Sequence, residues 1–522
     1  MPNYLRSWVA NRKQGLPVLF FIILLSAISQ FATFALSQNF VISSFGAQPE
    51  DISFALQMAY VGILVTLPIH FRLIRYFELR NYLVVAITLG ILLSIVCINT
   101  SDLLLFFVFR LLQGMVVCTI SASILMMFSI YLKAEHKQVV APSIFYGTIL
   151  SSGVLIGLVF ANVSLNTDWK EVYQYLIALQ VFSLLLVVVI FNPKSGVKPY
   201  PLYQIDWIAA VFFLTAAISL AYTFIYGSKY YWFTDSRIQL SFCLTVFMIL
   251  LYISRLTTQK RPLISLQVFR YRKFWAGLLL LALYYGIKES INLIFGYTTA
   301  ILQWNATQMM TLGLFNIAGV LIFIVIAGKL IIDKKVTIPV LLVAGFTVLL
   351  TYHVWMYQIF TPDLSFQDLI VPVFLQGAAS GLIFVPIMLF TLSSVPPSTG
   401  MTGLIVAAYV RFISLLNVSA GFYNLQLYYN QFFKERFLTH VTLLDNPAAE
   451  RLAGYKQVFL AKGMSSGQAE SLAQLNLSKV LSIQSQLLSN RAIFLLMSYL
   501  MVVILVVLVM LVMNARLGRK KA

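Results

Sequence analysis

Fourteen long apolar stretches dominate the sequence, and short polar or charged segments separate them. A hydrocarbon core of about 30 Å is crossed by roughly 20 apolar residues in a helix, so each stretch predicts one membrane span. Short segments of alternating polarity, typical of a closed β-barrel, are absent from this pattern. Spans 1 to 14 are expected to begin, in chain order, near Pro17, Ile52, Tyr82, Leu103, Ser143, Val172, Ile205, Ile238, Phe274, Met309, Thr337, Leu369, Gly400 and Ala492.

The Lys and Arg residues are distributed unevenly between the two sides of the predicted membrane. An even number of spans puts both termini on one side, which carries 23 of the 36 Lys and Arg residues. The short loops of the other side carry three, Lys170, Lys229 and Arg237. The long segment 427–490 with its flank at Arg491 carries seven more, but long loops fall outside the rule that short cytoplasmic loops are rich in Lys and Arg. We therefore expect both termini to lie in the cytoplasm.

Two parts of the chain look like copies of each other. Leu112-Gln113-Gly114 in span 4 recurs as Leu375-Gln376-Gly377 in span 12, an offset of 263 residues, and span 9 begins 257 residues after span 1. Transporter folds are commonly built from such repeats. We predict an N-terminal six-helix bundle over residues 1–200, two inserted spans over 201–260, and a C-terminal six-helix bundle over 261–522.

Composition narrows the class of protein. Of the 522 residues, 60% are hydrophobic and 10% are charged, whereas roughly a quarter of a soluble domain is charged. The net charge of +19 follows from the loops on one side and does not indicate nucleic acid. The sequence has no hydrolase, nucleotide-binding or metal-binding motif, and its four His and three Cys have no ligand spacing. We therefore expect no enzyme, no metal and no cofactor, and transport that uses an ion gradient.

Four charged residues fall inside predicted spans, where a charge costs about 2.5 to 3.5 kcal/mol on insertion scales. They are Arg110 in the outer part of span 4, Lys288 and Glu289 in span 9, and Arg411 in span 13. Each needs a partner or a wet cavity, and Arg110 in particular needs a carboxylate, a carbonyl or water nearby. These residues are the candidates for proton coupling or for the conformational change, and packing alone is the other interpretation.

Glu289 is the one acid that the sequence places well within a span. Burial favours the neutral form of a carboxyl group, which suits reversible proton binding. Lys288 opposes that effect, although adjacent helical residues point about 100° apart and need not pair. Glu289, Asn292, Gly296 and Thr299 share one helical face, which predicts a polar, cavity-lining surface. Proton coupling and an ion pair that holds helices together are both open.

A polar stripe also runs along span 1, at Ser26, Gln30, Thr33 and Ser37. Such a stripe either lines a pathway or hydrogen-bonds a neighbouring helix, and the sequence does not decide between the two. The many Tyr and Phe residues can line a cavity for lipophilic or cationic compounds, although most will face lipid. The candidates for a substrate cavity are Gln30, Thr33, Gln113, Tyr285 and Asn292.

Several motifs together resemble the fourteen-helix drug:proton antiporters of the major facilitator superfamily, the EmrB/QacA type. Residues Phe109–Gly114 resemble the RxxQG motif of span 4, and Asp206-Trp207 resembles the start of the first inserted span. Residues Pro262–Phe274 resemble the PL…LFRxRxF stretch before span 9, and Lys462-Gly463 lies where the last loop of that family has a Gly. The likeness covers nearly the whole chain.

The sequence also departs from that family at three places. The loop motif GxLaDrxGrr between spans 2 and 3 reads Phe71–Asn81 here and lacks both glycines and the Asp. The antiporter motif of span 5 keeps Gly147, Gly153 and Gly157 but not its proline, and the acid expected in span 1 is absent.

The resemblance implies a major facilitator fold with alternating access, and proton-coupled export of lipophilic or amphipathic compounds from a bacterial cytoplasmic (inner) membrane. It also implies contact with lipid and a possible periplasmic adaptor and outer-membrane channel as partners. Segment 427–490, which contains the helix-like run Ser466–Leu488, is expected to be a partly helical extracytoplasmic loop, either a docking surface or a connector. Uptake, lipid translocation and a transporter-like receptor without flux are the alternatives.

Overall fold

All predicted spans are helical in the computed structural model, which describes residues 4–10, 15–131, 137–166, 170–194, 201–441 and 445–521. Side chains at residues 10, 35–40, 137–138, 161–162, 164–166, 417, 419 and 514–521 are outside that description. Two predictions thus lie outside the described part, the side chain of Ser37 and the domain boundary at residue 200. Among the described residues, fourteen helices are long and apolar enough to cross a membrane, which confirms the predicted number.

The bounds of the spans agree with the apolar pattern. Most helices begin within two turns of the predicted position, and span 9 consists of two helices. A short helix, Asn446–Ala461, lies between spans 13 and 14. Spans 1 to 14 are, in order, Leu16–Phe45, Pro49–Tyr76, Leu79–Asn99, Leu103–Tyr131, Lys137–Asn166, Glu171–Ile190, Trp207–Tyr226, Ser236–Thr258, Arg272–Lys288 with Ile291–Ala300, Ala306–Ile332, Ile338–Ile359, Phe366–Ser393, Gly400–Leu438 and Ser466–Lys521.

The last two spans extend well beyond a bilayer. Ser466–Lys521 has 56 residues and therefore measures about 84 Å at 1.5 Å per residue. Its predicted membrane part begins near Ala492, so the preceding turns continue outward as a helix, in agreement with the helix-like run seen in the sequence. Asn446–Ala461 packs along this extension, and Lys456 pairs with Glu470 at 2.9 Å. The described residues of segment 427–490, that is 427–441 and 445–490, thus form a helical projection.

Local capping fixes where several spans start. The Asp206 carboxylate accepts a hydrogen bond from the Ala209 amide at 3.1 Å, so it caps span 7. The same carboxylate pairs with Arg255 of span 8 at 3.1 Å, which ties the two inserted spans together at one end. Asn305 and Gln308 form a reciprocal capping box at the start of span 10.

Buried apolar side chains form four clusters among the described residues, and one of these clusters joins spans 2, 7, 8 and 13. One large cluster draws mostly on spans 9 to 14, and a second draws on spans 1, 3, 4, 5 and 6. Spans 5 and 10 pack against each other across the two groups. Arg72 at the end of span 2 also crosses between them, because its guanidinium donates to the Gln204 carbonyl at 3.2 Å and to the Pro262 carbonyl at 3.1 Å.

The closest helix packing occurs twice, in corresponding places. In membranes, small residues allow helices to approach closely. Gly114 of span 4 lies against the carbonyl of Ala59 in span 2, and Gly377 of span 12 lies against the carbonyl of Asn316 in span 10. A Cβ atom at either glycine would overlap that carbonyl. The two contacts repeat the sequence offsets of 263 and 257 residues, while the division at residues 1–200, 201–260 and 261–522 stays a prediction.

Candidate functional site

Span 9 is broken in the middle, at Glu289 and Ser290. The first helix ends at Lys288 and the second begins at Ile291. A break inside a membrane leaves backbone groups without helical partners, and other side chains must satisfy them. Here the Gln376 side chain of span 12 donates from Nε2 to the Lys288 carbonyl at 2.9 Å. The break is therefore held by another helix.

The hydrogen-bond network behind the break continues into span 10. Asn316 donates from Nδ2 to Gln376 Oε1 at 2.6 Å and lies 2.9 Å from the Val373 carbonyl. Gln376 is thus held in one orientation, with its oxygen toward span 10 and its amide toward span 9. Gln376 belongs to the tripeptide that repeats Leu112-Gln113-Gly114, so this copy of the tripeptide supports the backbone of span 9.

Ser290 is fixed on the other side of the break by a buried histidine. Nδ1 of His353 in span 11 lies 2.8 Å from the Leu349 carbonyl oxygen. Because a carbonyl only accepts, Nδ1 carries the proton. In the neutral ring Nε2 is then an acceptor, and Ser290 Oγ donates to it at 3.0 Å. Ser290 and His353 are both fully buried. The break therefore has a defined geometry on both sides.

Glu289 and Lys288 form an ion pair at 2.5 Å. Adjacent residues in a continuous helix point apart, but the helix ends between these two, so their side chains converge. Asn292 donates from Nδ2 to the second carboxylate oxygen at 3.2 Å. Asn292, Gly296 and Thr299 are exposed along the second helix, on the face that the sequence grouped with Glu289.

Arg411 of span 13 adds a second cation at the Tyr285 ring, where Lys288 Nζ also lies, 5.6 Å from the ring centre. Its guanidinium lies 5.0 Å from the centre of the Tyr285 ring, a cation–π contact. It lies within electrostatic range of Tyr60 of span 2, Tyr146 of span 5 and Glu289, and forms no ion pair with Glu289 among the described residues. Arg411 therefore lies near spans 2 and 5 as well as span 9.

Aromatic rings close this region between the two groups of spans. Tyr146 contacts Phe384 of span 12 with ring centres 3.7 Å apart, and the Tyr285 ring lies 6.4 Å from the same Phe384. Phe31 of span 1 packs on Tyr60 with ring centres 4.6 Å apart. The sequence indicates Tyr285 as a cavity candidate but not the other four, because single aromatic residues in apolar spans carry no local pattern that separates a cavity wall from a lipid-facing surface.

Arg110 occupies a separate, buried place in span 4. Its Nη1 donates to Gln113 Oε1 at 2.5 Å and lies 3.5 Å from the Gln30 carbonyl, and the guanidinium stacks 4.0 Å from the centre of the Phe34 ring. Nε and Nη2 have no hydrogen-bond partner among the described residues. The sequence predicts that Arg110 needs a carboxylate, a carbonyl or water nearby, and the structure provides the Gln30 carbonyl.

The polar stripe of span 1 is turned into the protein. Gln30 and Thr33 are both buried, and Gln30 Nε2 lies beside Gly90 of span 3. Ser26 donates to the Ile23 carbonyl of its own helix at 2.9 Å. Gln30 and Gln113 therefore lie around Arg110, whereas Tyr285 and Asn292 lie around Glu289, so the predicted cavity residues fall into two places.

The cluster around Glu289 holds one carboxylate with two cations near it, Lys288 and Arg411. When Glu289 is ionised it compensates one of two cations, Lys288 and Arg411; when it binds a proton both cations are left uncompensated. A change of protonation therefore changes the local electrostatic energy strongly in a region of low dielectric constant. Among the described residues no group of three or more His, Cys, Asp or Glu side chains is placed to hold a metal ion.

Sequence comparison relates the chain to membrane transporters. The sequence profile of the Major Facilitator Superfamily matches residues 19–419. A protein of Haemophilus influenzae named multidrug export protein EmrB is 24% identical over 69% of this chain and 67% of its own length. The Escherichia coli protein of the same name is 23% identical over 58% of each chain. The colistin resistance protein EmrB of Acinetobacter baumannii is 22% identical, and the chain matches about half of it, 48%.

Solved structures share the fold at low sequence identity. A POT family transporter in complex with 5-aminolevulinic acid has a TM-score of 0.58 at 10% identity and covers 95% of this chain and 96% of its own. The human organic anion transporter MFSD10 gives 0.52 at 11% identity, covering 94% and 99%. The inward-open xylose transporter XylE of E. coli gives 0.52 at 13% identity, covering 78% and 89%. With its fourteen spans and its profile match, the chain is a multi-pass membrane transporter that belongs to the Major Facilitator Superfamily.

Proposed function

We propose that this transporter exports lipophilic or amphipathic small molecules in exchange for protons, by alternating access of two six-helix bundles. The proposal rests on the cluster at the break of span 9, where Glu289 pairs with Lys288. Lys288 and Arg411 both lie over the Tyr285 ring, and Tyr60 and Tyr146 are within electrostatic range of Arg411. Two bacterial relatives are named multidrug export proteins, which supports the same direction of transport.

The coupling follows from the charges of the cluster. A proton that enters from the outer side neutralises Glu289 and breaks its pairing with Lys288, which favours a different arrangement of spans 9 and 13. Tyr60 and Tyr146 come from the other bundle, so a rearrangement at Arg411 reaches both bundles. Aromatic walls such as Tyr146 and Phe384 suit apolar and amphipathic compounds.

Alternating access is supported by the paired contacts of the two halves. Gly114 with Ala59, and Gly377 with Asn316, give each half its own rigid pair of helices. Among the described residues, fewer glycines lie against the backbone of another helix between the halves than within each half. Arg72 joins the two halves by donating to backbone carbonyl groups on the side of the termini. Two rigid bundles with hydrogen bonds at one end can rock about a site between them.

Purified protein in liposomes provides the test of this function. With a panel of lipophilic cations and weak acids, we expect at least one compound to cause proton movement, measured with a pH-sensitive dye inside the vesicles. Protein-free liposomes are the control. Transport of a compound without proton movement would contradict proton coupling. Flux of a phospholipid analogue alone would favour a lipid-translocating carrier. The absence of any flux would favour a transporter-like receptor.

Orientation in the cytoplasmic membrane is a separate prediction. In a background with Cys97, Cys118 and Cys243 changed to Ala, we expect Glu450→Cys to react with a membrane-impermeant maleimide in intact spheroplasts. Lys260→Cys, in a loop on the side of the termini, should react after the membrane is opened. Both native side chains are exposed, so access to reagent depends on the side of the membrane. The opposite labelling would reverse the orientation inferred from Lys and Arg.

The helical projection over residues 427–490 is the surface that we propose for a periplasmic adaptor. On it Tyr428 and Phe432 are exposed and stack with ring centres 6.4 Å apart, and Arg436 lies 4.9 Å from the Phe432 ring. Exposed aromatic residues with a neighbouring Arg are typical of protein interfaces. The adaptor and an outer-membrane channel stay predictions.

A further inference from the structure

An apolar crevice of about 530 Å³ runs along the surface between spans 5 and 10, beside Phe21 of span 1. Glycines on both walls make it deep. Gly147 of span 5 and Gly328 of span 10 are buried, and a Cβ atom at either would meet its nearest neighbour only at ordinary contact distance, 3.5 and 3.6 Å. The crevice therefore has room that larger residues would fill.

The lining presents hydrocarbon even where the residues are polar. Ser143 donates to the Val139 carbonyl at 2.7 Å, and Thr148 donates to the Ile144 carbonyl at 2.8 Å. Ser151 likewise donates to the carbonyl of Thr148. Since these hydroxyl groups are already bonded to their own helix, the crevice offers little to a polar ligand and suits an alkyl chain.

Lys329 is the one cation among the described lining residues, and it lies at one end of the crevice. Lys329 lines it, is exposed, and forms no ion pair with any described residue. The lining of span 10 extends from Ile317 to Ile332, about 22 Å at 1.5 Å per residue, which is comparable with an extended acyl chain. Lys329 lies on the side of the termini, which the Lys and Arg distribution assigns to the cytoplasm.

We propose that this crevice binds one acidic phospholipid of the cytoplasmic leaflet, with an acyl chain between spans 5 and 10 and its phosphate at Lys329. Basic side chains between membrane helices on the cytoplasmic side are typical binding sites for anionic lipid headgroups. The charge distinguishes this occupant from a neutral lipid, and the self-bonded hydroxyl groups distinguish it from a polar solute. The binding does not depend on the proposed export activity.

The test uses the full-length protein, freed of lipid in a neutral detergent, and native mass spectrometry with phosphatidylglycerol or phosphatidylcholine of identical chains. We expect one bound phosphatidylglycerol with a clear preference over phosphatidylcholine. Lys329→Gln should weaken phosphatidylglycerol binding about fivefold and leave phosphatidylcholine unchanged, as one lost charge predicts. The matched control is Lys260→Gln, an exposed cation in the loop between spans 8 and 9, which should bind like the wild type.

A second pair of variants tests the crevice itself. Gly328→Leu should remove the binding of both lipids, whereas Gly153→Leu, on span 5 in open space outside the lining, should not. Thermal unfolding shows whether each variant is folded, and Gly147→Leu fills the other wall if Gly328→Leu is not. Equal binding by wild type, Lys329→Gln and Gly328→Leu would overturn the proposal. Displacement of the lipid by an exported compound at the same stoichiometry would assign the crevice to substrate instead.

Discussion

Replacing Glu289 by Gln should reduce substrate-dependent proton movement to the level of protein-free liposomes. Gln has the same shape and keeps an oxygen for Lys288, but it cannot bind or release a proton in the physiological range. The one oxygen of Gln cannot accept from both Lys288 and Asn292, so the variant gives up the hydrogen bond from Asn292. Because Glu289 is the one acid of the described residues that lies deep within a span, no neighbouring carboxylate is available to replace it.

The matched control is Glu450→Gln, the same chemical change at an exposed site on the helical projection. It should transport like the wild type. A second measurement separates coupling from structure: exchange of labelled for unlabelled substrate across the membrane requires no net proton movement. Glu289→Gln should retain this exchange, because it resembles the protonated state. Loss of both activities in a folded protein would assign Glu289 a structural role, and normal proton movement would exclude it as the coupling group.

The number and position of the spans could be predicted because the bilayer fixes a length and a composition for each helix. Span 2 was expected near Ile52 and begins at Pro49; span 4 begins at Leu103 as predicted. The break of span 9 was not predicted, since the apolar stretch continues through it. The polar run Lys288-Glu289-Ser290, with Gly286 just before it, is the local feature that could have indicated a discontinuity.

The site was predictable only as far as single residues are informative. A charge in a span has to be satisfied, so Arg110, Lys288, Glu289 and Arg411 stood out from the sequence alone. Their partners did not, because Gln376 lies 88 residues from Lys288 and acts through its side chain on a backbone carbonyl. Which helices face each other is decided by packing between distant segments, and no local periodicity records it.

The repeated tripeptide, by contrast, has a structural explanation in both copies. Gln113 accepts a hydrogen bond from Arg110, whose guanidinium reaches the Gln30 carbonyl of span 1; Gln376 donates to the Lys288 carbonyl of span 9 directly. Each copy therefore places a polar group at a backbone carbonyl of the first span of its half. The N-terminal copy uses a cation and the C-terminal copy uses an amide.

The glycine that follows each Gln leads to the largest expected effect on stability. Gly377→Val should destabilise the protein by about 3 kcal/mol or more, at the upper end of overpacking costs, because its Cβ atom would overlap the Asn316 carbonyl and the backbone cannot move aside locally. Separation of spans 10 and 12 would also disturb Asn316 and Gln376, which hold the break of span 9. Thermal unfolding followed by size-exclusion fluorescence measures the loss.

Gly421→Val is the matched control, because Gly421 lies within the span 13 helix with no atom near its added Cβ. It carries the same helix-propensity change without the clash and should unfold close to the wild-type temperature. Gly114→Val should be as damaging as Gly377→Val if the two halves are equivalent rigid pairs, because Gly114 meets the Ala59 carbonyl in the same way. A large effect at Gly377 with none at Gly114 would mean that only the C-terminal half relies on this contact, and the two bundles would then move as unequal bodies.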